Sequence, residues 1–151
     1  MIRLRHIIVT RYNLKLNFSK PDAAAKALNE GWLPRRKKIF DAICLPSMRA
    51  QTVKDFDWFV LYDVDTPDTY LDYIGDIAVP MKARTAEEAH DRLRSHYGDD
   101  ARPTITTRLD NDDGLASHHV ATVQALAGGI ITAESVFGCP HVVNFRDGLE
   151  L

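Results

Sequence analysis

The stretch "DWFVLYDVDTP", residues 57–67, decides the fold. Its centre, from Trp58 to Tyr62, is apolar at every position, so an extended segment here needs cover on both faces. Half-buried strands alternate; strands roofed by helices on both sides do not. The stretch then turns acidic at Asp63 and Asp65 and meets Thr66-Pro67-Asp68. An N-cap residue, a proline for the first helical position and an early acid predict a helix from Thr66 to about Ile74.

Working outward, "RHIIVTRYN" (5–13) reads as a first strand of the same doubly covered kind. Residues 17–31, "NFSKPDAAAKALNEG", are polar and alanine-rich, a short helix or ordered excursion ending at Gly31. From Trp32 to Gln51 the pattern is helical, with Pro34 in the first turn and Ile39, Phe40, Ile43 and Cys44 at helical spacing. Pro46 should kink this helix or divide it. Residues 76–83, "DIAVPMKA", suggest a short strand that Pro80 confines to an edge. Thr85 and Glu88 form a capping pair for a helix closed by Gly98, with Ala89, Leu93 and Tyr97 on one face. "RPTITTRLD" (102–110) is a strand, and "DGLASHHVATVQALAGG" (113–129) a helix with Leu115, Val120, Val123, Leu126 and Ala127 inward and Gly128-Gly129 as its stop. "CPHVVNFRDGLEL" (139–151) ends the chain as a strand or hairpin.

Strands and helices alternate, which predicts an α/β fold: a Rossmann-like, mostly parallel sheet flanked by helices, in one domain over residues 1–151. Hydrophobic residues at 45%, charged residues at 26% and a net charge of −2 describe a globular chain without an electrostatic reason to bind nucleic acid. No stretch is long and apolar enough for a transmembrane helix or a secretory signal, so a cytoplasmic protein is expected. Cys44 and Cys139 lack disulfide-framework or metal-ligand spacing and read as buried small hydrophobes.

In open α/β sheets ligands bind beyond the carboxyl ends of the strands. Three predicted strands end in polar groups: Thr10-Arg11-Tyr12-Asn13, Asp63-Val64-Asp65-Thr66 and Arg108-Leu109-Asp110-Asn111-Asp112-Asp113. Parallel strands gather all three at one rim. Asp110 and Asp112 lie two apart, so extended backbone points both carboxylates one way, a hard oxygen pair suited to Mg²⁺ or Mn²⁺. The structural alternative is a strand-to-helix turn in which Asp112 or Asp113 caps the next helix and the dipole favours the other acids. Arg108 either neutralises those acids or meets a diphosphate; Asp63 either caps a helix near Thr66 or accepts hydrogen bonds from a ribose or base. Adjacent His118 and His119 diverge by about 100° on a helix and read as surface or satisfied histidines.

Residues 32–67, "W…R…IF…CLPSMRAQTVKDFDWFVLYDVDTP", followed by "TTRLDNDDGL" (106–115), resemble the bacterial rhamnosyltransferase family, whose members look like GT-A-fold glycosyltransferases. The likeness runs over nearly the whole chain, with "RLDNDD" its most specific piece. It implies a GT-A-like fold, a nucleotide-sugar donor, an unknown glycan or other acceptor, and a divalent cation (Mn²⁺ or Mg²⁺) joining the donor diphosphate to a DXD motif, Asp110-Asn111-Asp112. By position, Asp63 would hold the nucleoside, Thr10 and Arg11 would lie near base or ribose, Arg108 near the phosphates, and Asp113 would be an extra ligand or support the other two. The chain departs from the pattern at its end. GT-A enzymes usually continue into an acceptor-binding half that supplies the general base, so Leu151 suggests the donor-binding half alone. Glu134 is the only acid between the last helix and the final strand, and no base carries over.

Three functions remain open on sequence: a metal-dependent glycosyltransferase, a non-catalytic nucleotide-sugar-binding module or truncated fragment, and a metal-dependent phosphoesterase using Asp63, Asp110 and Asp112. An edge strand at "PHVVNF" would also permit homo-oligomers.

Overall fold

The computed structural model describes residues 4–14, 31–100 and 102–132. Four strands, β1 (Arg5–Arg11), β2 (Asp57–Asp63), β3 (Val79–Ala83) and β4 (Thr104–Asp110), form one sheet in the order β3-β2-β1-β4. Every neighbouring pair is parallel. Among the described residues four helices accompany them: α1 (Trp32–Ala42), α2 (Cys44–Arg49), α3 (Ala86–Tyr97) and α4 (His119–Thr132). This is the Rossmann-like arrangement expected from the alternating sequence.

The uninterrupted apolar centre of β2 explains itself in the packing. Trp58, Val60 and Tyr62 join Ile8, Tyr12, Phe40, Cys44, Met48 and Val120 in a core beneath α1, α2 and α4. Their neighbours Phe59 and Leu61 face the other way, into a second core with Ile7, Leu14, Ala83 and Ala89, against which Leu93 and Tyr97 of α3 pack. Phe40 has no exposed surface and lies with its ring centroid 5.3 Å from Tyr12 and 6.0 Å from Trp58. Among the described strands double cover belongs to β1 and β2; β4, at one end of the order, alternates exposed and half-buried residues until Leu109. At the other end β3 accommodates Pro80, whose missing N–H is tolerated there.

The signals for α1 to α4 hold in type and differ in detail. Thr85 accepts the Glu88 backbone N–H at 3.1 Å at the start of α3, and Gly98 closes it at φ +57. The predicted helix of residues 32–51 is divided, at Ile43. The ring of Pro46 crowds the carbonyl four residues back, at Ala42, so the break falls ahead of the proline.

Four expectations need correction. The segment after β2 is two 3-10 turns, Asp68–Tyr70 and Asp72–Ile74, rather than a helix from Thr66. The Thr66 hydroxyl is already engaged with the Asn13 amide, at 2.8 Å and 3.1 Å, and Pro67 is extended (φ −59, ψ 140). Helix α4 begins at His119, not beside Asp113. It also passes through Gly128-Gly129 to Thr132, although glycine weakens a helix by about 1 kcal/mol per residue. Leu126, expected inside, is exposed, while Val120 and Val123 are buried.

Residues 17–30 and 133–151, with Glu134, Cys139 and "PHVVNF", lie outside the described residues, as do the readings made of them. Among the described residues no helix is long and apolar enough to cross a membrane.

Candidate functional site

From β1 to β3 the chain builds outward on one side; it then returns through α3 to place β4 on the other side of β1. The direction of winding therefore reverses between β1 and β4, and a crevice opens beyond their carboxyl ends. Arg11 is register partner to Leu61 on β2 and to Asp110 on β4. All three predicted polar strand ends thus share one rim.

Two asparagines stitch that rim together. The Asn111 side-chain amide donates to the Tyr12 backbone carbonyl at 2.6 Å, tying β4 to β1. The Asn13 carbonyl oxygen accepts the Asp63 backbone N–H at 3.1 Å, tying β1 to β2. Both asparagines are 5% exposed. With Asn111 turned inward, its neighbours are left outside: the Asp110 and Asp112 side chains are 42% and 49% exposed.

The turn is held from below as well. Gln51, buried at the end of α2, donates to the Ala116 carbonyl at 2.9 Å and accepts the Val120 backbone N–H at 3.1 Å. Beside it, the Thr52 N–H donates to the Ser117 carbonyl at 2.8 Å. Gly114 lies so close to α2 that a β-carbon there would stand 3.3 Å from Ser47 Cβ. Because Gln51 satisfies the start of α4, and Asp112 and Asp113 precede that helix by several residues, neither aspartate is its cap.

What offsets their repulsion is arginine. Asp110 receives Arg108 in a fork, with Nη2 3.2 Å from each carboxylate oxygen, and Arg11 at 3.3 Å. Asp112 receives Arg36, reaching across from α1 at 2.6 Å. The Arg36 guanidinium also lies over the Trp32 ring, 4.9 Å from its centroid.

The remaining predicted residues are placed as follows. Asp63 is 1% exposed and its carboxylate accepts the Asp65 N–H at 3.0 Å, a local turn that makes it part of the rim's framework. Thr10 is fully buried and its hydroxyl accepts the Trp58 indole N–H at 3.0 Å, which supports the rim from beneath. Asp113 is exposed, and its backbone N–H donates to the Asp110 carbonyl at 3.1 Å to close the turn. Cys44 is buried as expected, and burial pushes its thiol up to about 12.

A comparison with protein families gives one decisive result: residues 7–149 match the family described as "Putative rhamnosyl transferase". The chain belongs to that family. By its description the family is one of glycosyltransferases, which join a sugar donor to an acceptor. No curated protein is similar enough to this chain to add to that assignment.

The donor set of this rhamnosyltransferase-family chain suits a hard cation: two solvent-facing carboxylates at a strand end. Among the described residues no group of three or more His, Cys, Asp or Glu is gathered to hold a metal. Mg²⁺ commonly takes one or two carboxylates and completes its shell with water and substrate phosphates. Sequence reading singled out the DXD stretch, but Arg36 it missed. Nothing local marks an arginine that pairs 76 residues away.

Proposed function

We propose that this protein transfers a sugar, rhamnose by the family's description, from a nucleotide-sugar donor, with the donor diphosphate held at Asp110 and Asp112 through Mn²⁺ or Mg²⁺. The observation that carries this reading is the inward lock of Asn111 on Tyr12, which leaves two carboxylates outside at the β1–β4 switch point. When bound, the cation neutralises charge growing on the departing nucleoside diphosphate as the glycosidic bond breaks. Arg11 and Arg108 stand beside Asp110, where guanidinium forks match phosphate oxygens. Asp63 and Asn13 fix the adjoining strand end, where the nucleoside would lie against the rim. Gln51 and Gly114 keep the acidic turn on α2 so that its carboxylates do not drift.

The test is a thermal melt of the protein with Mn²⁺ and, separately, UDP, GDP, ADP, CDP and dTDP. At about 100 times Kd, a ligand stabilises by about 2.7 kcal/mol, which moves the melting temperature of a domain this size by roughly 5–10 °C. One diphosphate of the panel should do this only with metal present, and Asp112→Ala should remove the metal-dependent part. The matching sugar nucleotide should then be cleaved or transferred, while a generic phosphodiester is left intact. No shift with any diphosphate in the presence of metal contradicts the proposal.

A further inference from the structure

The geometry points to Arg36 as an exchangeable counter-ion: it holds Asp112 while the site is empty and passes to the donor's diphosphate when a cation takes the carboxylate. The inference rests on the function proposed above.

Arg36 is placed for both positions. Its Nη1 is 2.6 Å from Asp112 Oδ2, yet its side chain retains 24% exposure and the aspartate 49%, so the pair sits at the surface of the crevice. An exposed ion pair of this kind holds little energy and opens readily. Its guanidinium lies over Trp32, a platform belonging to the same helix turn that limits the range of the side chain without burying it. The partner residues are on different elements, α1 and the turn after β4, so motion of the arginine disturbs no helix or strand.

Charge decides the order of events. Three guanidiniums, Arg11, Arg36 and Arg108, face two carboxylates, Asp110 and Asp112, leaving a single excess positive charge. A divalent cation entering alone adds to that excess and must displace arginines that have nowhere to go. A cation entering with the doubly negative diphosphate of a sugar nucleotide leaves the charge as it was, and each displaced guanidinium finds phosphate oxygens. Counting Asp113 shifts the starting value to neutral and changes nothing else. The arrangement therefore couples the two ligands: each binds poorly alone and well with the other, by one reciprocal factor.

The experiment is Mn²⁺ binding followed by electron paramagnetic resonance, with and without the nucleoside diphosphate that the panel selects, on wild type, Arg36→Gln and Arg36→Lys. Wild type should bind Mn²⁺ about 10-fold or more tightly when the diphosphate is present. Arg36→Gln should tighten Mn²⁺ alone several-fold and weaken the diphosphate at saturating Mn²⁺ by about 10-fold, opposite signs from one substitution. Arg36→Lys keeps the charge but not the fork, so Mn²⁺ alone should stay weak while the diphosphate is still weakened. A merely structural arginine would loosen the turn and weaken both ligands together. That result, or no change in either affinity, overturns the inference while leaving the proposed function standing. Absence of diphosphate binding by wild type overturns both.

Discussion

The side-chain amide of Asn111 donates to the backbone carbonyl of Tyr12, 99 residues earlier, at 2.6 Å. One buried bond therefore sets where β4 ends relative to β1, and with it the direction in which Asp110 and Asp112 look. Asn111→Ala should cost about 1–2 kcal/mol in chemical denaturation by leaving that carbonyl without its partner. Asn111→Asp, nearly the same shape, should cost more, about 2–4 kcal/mol, because a buried carboxylate would face a carbonyl oxygen. Equal and small losses for the two would show that the bond does not hold the turn.

Gln51 makes three contacts with one amide: to the Ser47 carbonyl at 3.0 Å, the Ala116 carbonyl at 2.9 Å and the Val120 N–H at 3.1 Å. It does the work of a helix cap from another helix. Gln51→Ala should lower stability by about 2–4 kcal/mol, since it strands buried groups on both partners. The same variant should weaken metal-dependent diphosphate binding, because the acidic turn would lose its seat. A loss under about 0.5 kcal/mol, the range of ordinary surface substitutions, would contradict this.

Gly114 is required by close approach, with Ser47 Cβ at 3.3 Å and Ile43 Cγ2 at 3.4 Å from where a β-carbon would stand. Gly114→Ala should destabilise by about 1 kcal/mol through overpacking. Ser47→Gly should relieve much of that cost, and a double-mutant cycle between the two sites measures the coupling. Additive effects would place the strain elsewhere.

His6 carries the pH prediction. Burial, reinforced by the nearby His119, lowers its pKa from 6.5 to about 4. A histidine whose folded pKa is depressed is charged first in the unfolded chain, so acidification favours unfolding. Between pH 6.5 and about 4 this group should remove roughly 1.4 kcal/mol of stability per pH unit. Its ring nitrogen Nε2 shares a 2.8 Å hydrogen bond with the Thr107 hydroxyl. His6→Gln should flatten the stability-against-pH curve in that window relative to wild type, whatever the carboxylates add to both curves. Parallel curves would contradict the assignment.

These residues also show where sequence reading succeeds and where it stops. The apolar runs at Ile7–Val9 and Trp58–Tyr62 announced doubly covered strands because every position there must be buried, a local demand. The Thr85–Glu88 pair announced α3 for the same reason: cap and partner lie within one turn. The start of α4 was missed because its cap, Gln51, comes from far along the chain. The turns after β2 were misread because Thr66, an apt local cap, is claimed by Asn13. At the site, the acidic stretch was legible as a cluster of like charges needing compensation. The compensating groups were only partly so: Arg108 is a neighbour in sequence, whereas Arg36 reaches Asp112 only through the fold.

The central claim is that Asp110 and Asp112 meet a diphosphate through a shared cation. Calorimetric titration of the selected nucleoside diphosphate into wild type, Asp110→Asn and Asp112→Asn, each with Mn²⁺ and again with excess EDTA, tests it most directly. Wild-type binding should weaken at least about 10-fold on chelation, and either asparagine variant should reproduce most of that loss in the presence of Mn²⁺. Binding that is the same with and without metal, or that survives both substitutions unchanged, would contradict it.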